Sequence, residues 1–472
     1  MMARGIFGLL LAAILTPVAL ATINAGSKNN VAVYYGQGPN QKPLSTYCAD
    51  PDIDIIILSF VHLFPQQANG YPGINFGNQC GGDTYPGPGY GGTNTPANNQ
   101  LLKCPALQRD LNTCRQAGNP SKKILLSLGG DTGAYQLTGV ADGEAFASLL
   151  WSMFGPRQDP WVSQGHPRPF DLPGTPGFVI DGFDLDIEHP ATDASAGYRA
   201  LVAKLRELYT TVTGRTFYLT ASPQCVVPDA NLKDVLAAAQ FDILFVQFYN
   251  TPQCSARSWA NANANYKAGS GTVNNAGFTF DAWAAFLAGT KYSQNARLYI
   301  GLPGSAAAAN AGSEVSVAQA QSLASAYYCR PSFGGVAVWE ATYASANVVD
   351  GKNFYQAVKA GLNAAAADPK ICSTSSTPTQ TPQTTKTLQT IKTSQTTQVN
   401  KASPPVPPPA PAQGHPATAS PSPTARLSTD GQCGTGFGTT CGSPYCCSQW
   451  SWCGSTSAHC GTGCQKGFGK CN

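Results

Sequence analysis

The segment Val179-Ile-Asp-Gly-Phe-Asp-Leu-Asp-Ile-Glu-His-Pro190 limits what this chain can fold into more than any other stretch. From Phe183 to Glu188 apolar and acidic residues alternate without a break. On a strand, side chains point to opposite faces with a period of two. Phe183, Leu185 and Ile187 therefore share one face, and Asp184, Asp186 and Glu188 the other. Three carboxylates in a row repel one another and lose hydration together, which no stability argument favours. The row reads as a site. A solvated edge strand and a bed of oxygen ligands for a hard cation are the plainer readings. The apolar lead-in Gly177-Phe-Val-Ile180 and the closing Pro190 argue against an edge. No second cluster of ligands accompanies the acids, so no metal and no cofactor is expected. Asp181 falls out of the alternation and reads as structural, holding the strand or a neighbouring loop.

The chain opens like a secretory signal: Arg4 is charged, Ile6 to Leu20 is apolar, and Ala19-Leu-Ala21 offers small residues for cleavage. A membrane anchor competes, but the apolar run is short and Pro17 interrupts it. Residues 1–21 are thus expected to be removed and the rest secreted to the cell exterior. Sixteen cysteines, an even number in a secreted chain, imply disulfides. Cys48, Cys80, Cys104, Cys114, Cys225, Cys254, Cys329 and Cys372 are scattered, while the other eight crowd between Cys433 and Cys471. Between the groups, residues 373–429 are dominated by Thr, Ser, Pro and Gln. Such a stretch buries no core and reads as an extended, O-glycosylated linker between domains at 22–372 and 430–472. No Asn-x-Ser/Thr sequon is free of proline, so N-linked glycans are not expected. A net charge of +4, scattered along the chain, points to neither nucleic acid nor a membrane surface as partner.

Short β-rich runs alternate with Ala- and Leu-bearing segments. The predicted strands are Val31–Tyr35, Ile53–Phe60, Lys123–Leu128, Phe178–Glu188, Thr216–Thr220, Ile243–Tyr249, Leu298–Leu302 and Gly335–Trp339. The predicted helices include Gln108–Ala117, Gly143–Phe154, Ala196–Leu208, Leu232–Ala239, Thr279–Ala288 and Ser316–Ala326. Strand and helix in alternation, with eight strands, predict an α/β fold of the (β/α)8 TIM-barrel type. An open doubly wound sheet competes, but no Gly-x-Gly-x-x-Gly turn follows the first strand. Barrel chemistry sits at the C-terminal ends of strands, where Tyr34, Phe60, Ser127, Glu188, Gln247, Tyr249, Asn250 and Trp339 fall. A lone aromatic on a strand usually packs inward. With acids at the same rim, these look like a sugar cleft, because aromatic faces stack on pyranose rings while hydroxyl and amide groups bind sugar hydroxyls.

Lys123-Ile-Leu-Leu-Ser-Leu-Gly-Gly130 and Asp181-Gly-Phe-Asp-Leu-Asp-Ile-Glu188 resemble the two signature strands of family-eighteen glycoside hydrolases. Val31-Ala-Val-Tyr-Tyr-Gly-Gln37, Leu219-Thr-Ala-Ser-Pro-Gln-Cys225, Val246-Gln-Phe-Tyr-Asn250 and Gly335-Val-Ala-Val-Trp339 are similar to the class III, hevamine-like chitinases. The resemblance spans about Asn30 to Phe354. It implies an enzyme acting on chitin and chitooligosaccharides with retention of configuration and no enzyme nucleophile. Carried over by position, Glu188 is the general acid. Asp186 orients the acetamido group whose carbonyl oxygen attacks the anomeric carbon, Tyr249 hydrogen-bonds that carbonyl, and Asp184 supports Asp186. Trp339 floors the subsite, and Tyr34, Phe60, Gln247 and Asn250 are further candidates for binding substrate. A Glu with like charges two and four residues away on one face holds its proton longer, which suits an acid. The same resemblance pairs Cys48 with Cys114, Cys80 with Cys104 and Cys225 with Cys254, leaving Cys329 and Cys372 to each other. Insertions at 65–100 and 155–177 depart from the family and leave endo or exo action open.

The C-terminal cysteines span too little chain for a self-sufficient core, so disulfides must hold it. Spacing alone leaves their pairing open. Cys446-Cys-Ser-Gln-Trp-Ser-Trp-Cys-Gly-Ser455 resembles the hevein-type chitin-binding domain. That implies the pairs Cys433 with Cys447, Cys441 with Cys453, Cys446 with Cys460 and Cys464 with Cys471. It also implies a sugar-binding face of Ser448, Trp450 and Trp452. His459 stands where the family usually has an aromatic. The expected whole is a monomeric secreted endochitinase tethered to a chitin-binding module. An inactive chitin-binding lectin and a hydrolase of another N-acetylglucosamine glycan are the alternatives.

Overall fold

The computed structural model describes residues 27–116, 122–132, 135–266, 273–372 and, near the C-terminus, 426–428, 433–434, 439–443, 445–448, 453–454, 460–461 and 464–471. The expected signal at 1–21, most of the predicted linker, and Trp450, Trp452 and His459 lie outside these residues. The described residues belong to two compact units.

In the first unit eight strands form one parallel sheet: β1 (Asn30–Tyr35), β2 (Ile55–Leu63), β3 (Lys123–Gly130), β4 (Gly182–Ile187), β5 (Tyr218–Ala221), β6 (Ile243–Gln247), β7 (Arg297–Pro303) and β8 (Phe333–Trp339). Because β1 pairs with both β2 and β8, the sheet closes into a barrel. All eight predicted strands are present with shifted ends. The largest shift is at β4, which begins at Gly182 rather than Phe178. The carbonyls of the lead-in are taken from the side instead of by a neighbouring strand: Arg168 donates to Phe178, and Arg115 and Arg215 both donate to Val179. Asp181 then binds Arg115 at 2.6 Å and Arg215 at 3.0 Å and accepts the Ile124 N–H at 2.8 Å, which fastens β3 to the start of β4.

The helices at Pro105–Gln116, Val140–Phe154, Ala196–Thr210, Phe280–Ala288 and Val317–Tyr327 match predicted ones. The one expected at Leu232–Ala239 shrinks to Lys233–Leu236, since Asp229 takes the N–H groups of Asn231 and Leu232 and holds the entry as a turn. A helix at Phe354–Ala367, not among the predicted elements, starts with a capping box between Asn353 and Gln356 and is tied by Lys359–Asp54 at 2.7 Å to the residue that precedes β2.

Two apolar layers result. Outward residues such as Phe183, Leu185 and Ile187 join a core between sheet and helices. Inside the barrel a smaller cluster of Tyr34, Ile55, Ile57, Leu125, Phe245, Tyr299 and Ala337 fills the lower end. The insertion at 65–100 packs on the barrel mouth: Asn75 and Phe60 exchange backbone hydrogen bonds of 2.9 and 3.0 Å. Tyr71 Oη reaches His166 Nδ1 at 2.8 Å, so the two insertions brace each other. Disulfides join Cys48–Cys114, Cys80–Cys104, Cys225–Cys254 and Cys329–Cys372, the pairs implied by resemblance.

In the second unit Cys446–Cys447 pairs antiparallel with Cys453–Gly454. Disulfides join Cys433–Cys447, Cys441–Cys453, Cys446–Cys460 and Cys464–Cys471, again the implied pairs. Its small core is made of cystines with Phe468 against them. Arg426–Leu427 pairs with Thr439–Thr440, so the module's first strand falls inside the segment that composition assigned to the linker. Composition registers the absence of apolar residues and is blind to backbone pairing. Among the described residues no helix is long and apolar enough to cross a membrane.

Candidate active site

The ladder explains how the acidic row is accommodated. β4 lies between β3 and β5, and the register sets Ser127 and Thr220 on either side of Asp184. Both hydroxyls donate to its carboxylate, Ser127 at 2.7 Å and Thr220 at 2.6 Å, and Tyr34 donates from across the barrel at 3.2 Å. Three donors satisfy a carboxylate that is fully buried. Burial still dominates and pushes the Asp184 carboxyl up to about 6 against those hydrogen bonds. Asp184 thus forms a polar floor above the apolar plug of the barrel.

Asp186 stands two residues on, at the mouth. Gln247 from β6 donates to its Oδ1 at 3.0 Å and to the Ser222 carbonyl at 3.1 Å. Burial first, then the charges of Glu188 and Asp184, raise its carboxyl well above the usual range. Glu188 is raised to about 7, by burial first and the Asp131 charge next, against hydrogen bonds from Gln247 and Asp186. The Asp186 and Glu188 carboxyls share a hydrogen bond, so one of them carries a proton near neutrality.

These carboxyls open on a cavity of about 440 Å³. Phe60 and Trp339 form one wall, stacked with centroids 5.8 Å apart, and Tyr249, Asn250 and Gln247 form another. Tyr249 faces the acids closely enough that burial and the charges of Asp186 and Glu188 hold its proton on. Tyr34 is placed differently from the expectation, and Asn250 is at the cavity with a second partner. Tyr34 is buried one layer below the cavity, its hydroxyl spent on Asp184 and its ring packed 5.6 Å from Trp339. Asn250 lines the cavity, but its Oδ1 already accepts the Asn310 N–H at 2.8 Å and shapes the opposite loop. In the second unit Ser448 is buried at 3% exposure, and its backbone carbonyl accepts from Gln465.

Several residues of the site escaped the sequence reading. Asp131, Thr132, Asn310 and Tyr343 also line the cavity. Asp229, nearly fully buried, adds its charge to those acting on Asp186 and Glu188. Tyr135 is the most informative. Its hydroxyl accepts the Glu188 N–H at 3.0 Å and faces the Gly130 and Asp186 carbonyls at 3.0 and 3.3 Å, joining the ends of β3 and β4. The local signal was a tyrosine five residues beyond a Gly-Gly pair. Gly129 completes this junction at φ +115°, where an added Cβ would stand 2.2 Å from the Asp186 carbonyl oxygen. Only glycine allows the two strands so near each other.

Tyr135→Phe should lower kcat on the order of 10-fold while KM stays within about 2-fold, because Glu188 loses its backbone anchor and the cavity walls remain. Steady-state kinetics beside a melting curve checks this, since a purely structural role would move the melt and leave kcat at low temperature alone.

Comparison with known proteins adds an independent line. The model of a family described as "Glycosyl hydrolases family 18" matches residues 30–396. Endochitinase A1 of Aspergillus fumigatus is 39% identical over 374 residues, covering 78% of this chain and 41% of that protein. Endochitinase A of Aspergillus niger is 39% identical over 367 residues, covering 77% of this chain and 27% of that protein. The chain therefore spans well under half the length of these relatives. Among solved structures, the ICChI chitinase from Ipomoea carnea superposes with a TM-score of 0.51 at 26% identity, covering 70% of this chain and 99% of that one.

Proposed function

This chain belongs to glycosyl hydrolases family 18, and from that premise we propose that it is a secreted endochitinase cleaving β-1,4 linkages of N-acetylglucosamine polymers. The observation that carries the reading is the raised Glu188 carboxyl, hydrogen-bonded to Asp186 in a cavity walled by Phe60 and Trp339. A carboxyl that titrates at about 7 is still a proton donor near neutrality and can protonate the glycosidic oxygen. Asp186 and Glu188 act on each other's protonation, and Gln247 holds Asp186 at the cavity where it can meet positive charge on a substrate. The family stands outside the two-carboxylate scheme, so the nucleophile in this reading is the substrate's own acetamido carbonyl.

In this reading the departing oxygen takes the Glu188 proton as the C–O bond breaks. The acetamido carbonyl oxygen closes on the anomeric carbon, and the positive charge that develops on the acetamido group is met by Asp186. Gln247 fixes Asp186 from one side, and Tyr249 donates its retained proton to the acetamido oxygen. Phe60 and Trp339 offer apolar faces to the sugar ring. Water then opens the oxazolinium ring with Glu188, now a carboxylate, as base. The hevein-like module at 426–471 would hold the enzyme on an insoluble polymer and raise its local concentration.

The test is release of soluble oligosaccharides from colloidal chitin by the full chain with EDTA present, with the anomeric form of the first product followed by NMR. The expected result is EDTA-insensitive release of the β-anomer. Binding without release would favour the lectin reading, and a first-formed α-anomer would exclude substrate assistance.

A further inference from the structure

The cleft is acidic. Among its described lining residues are Asp131, Asp186 and Glu188, with no Lys, Arg or His. Two of these carboxyls are engaged with each other and with Gln247. Asp131 is different. The β3–β4 ladder ends at Gly130 and Ile187, so Asp131 and Glu188 are the residues that leave the two neighbouring strands at the barrel mouth. Both line the cavity, and the Asp131 charge acts on Glu188. Asp131 is exposed to the cavity and has no hydrogen-bond or ion-pair partner among the described residues. A carboxylate left unpaired next to a general acid suits a ligand that brings its own positive charge.

We propose that Asp131 is a specificity-determining residue that recognises a glucosamine unit, the free-amine and cationic form of the sugar, beside the unit undergoing reaction. The inference rests on the hydrolase reading above. The reacting unit must keep its acetyl group, because that carbonyl is the nucleophile. An ammonium can therefore be received only at a flanking unit, and Asp131 is the carboxylate free to receive it. Partly deacetylated chitin becomes a preferred substrate, with product ends that place glucosamine next to the cleaved N-acetylglucosamine.

The experiment compares kcat/KM of the full chain on two soluble substrates of equal chain length, one fully acetylated and one partly deacetylated, in mildly acidic low-salt buffer. Asp131→Asn should cut the ratio of the second to the first by about 5-fold or more, and Asp131→Glu should retain most of it. Any change in Glu188 proton affinity acts on both substrates at one pH and cancels in the ratio. Added salt should shrink the preference of the parent and leave that of Asp131→Asn unchanged. A ratio equal in parent and Asn variant overturns the proposal and leaves the hydrolase reading standing. Failure of the parent to cleave the fully acetylated chain sinks the hydrolase reading, and the proposal with it.

Discussion

Glu188→Gln should yield a folded protein that still binds chitin but releases soluble sugar about 10²–10⁴-fold more slowly than the parent. The amide matches the carboxyl in shape and keeps a hydrogen-bonding edge toward Asp186 and Gln247, so the cavity walls survive. It cannot deliver a proton to the leaving oxygen. The pH profile gives the same prediction a second readout. Glu188 must be protonated to act as the acid, and its carboxyl titrates at about 7, so parental activity should fall as pH rises through that value. The variant's residual rate should show no such limb. Reducing-end release from colloidal chitin across a pH series checks both. A variant retaining more than about a tenth of parental activity would dismiss Glu188 as the acid.

Asp184 predicts an effect on stability of unusual sign. Its folded-state carboxyl is pushed up from 3.8 to about 6 by burial. A group that binds its proton more tightly when folded contributes stability that is fully present below its unfolded value, near 4, and is lost as pH rises through about 6. Between pH 4 and pH 7 this single group should cost the parent roughly 2–3 kcal/mol. Asp184→Asn cannot ionise, so the fall in melting temperature over that interval should be several degrees smaller in the variant. Calorimetry of both chains at the two pH values decides it. Equal falls would mean that the Ser127, Thr220 and Tyr34 hydroxyls hold the carboxylate as well as water does.

The acidic row was legible because its signal is local: a period of two needs no knowledge of neighbours. The eight strands were legible for the same reason, and their ends were not. β4 starts four residues late because arginines distant in sequence take the carbonyls of 178–179, which no local pattern announces. Partners set by register were equally hidden. Nothing near Thr220 says that it will face Asp184, since that depends on how β5 slides against β4. Tyr34 and Asn250 show the converse case. Both were placed near the mouth by strand position, but the tyrosine hydroxyl and the amide oxygen found protein partners, at Asp184 and Asn310, that chain order alone does not reveal. Tyr135 and Asp229 lie in stretches that look like ordinary connecting loop, and their importance is a matter of three-dimensional convergence.

The close contact at Gly129 bears on how such barrels can diverge. With the Asp186 carbonyl 2.2 Å from where a Cβ would sit, and the Tyr218 carbonyl 1.9 Å from the equivalent point at Gly182, these two positions are locked by backbone geometry whatever the barrel is used for. Glu188 is under no such backbone lock, because its role rests on its side chain at the cavity and not on a close approach of its main chain. A descendant lineage could therefore discard the acid in one mutational step while its glycines stayed frozen. Inheritance of the glycine signature traces ancestry of the scaffold, and only the side chains at 186, 188 and 249 report whether the ancestral trade is still practised.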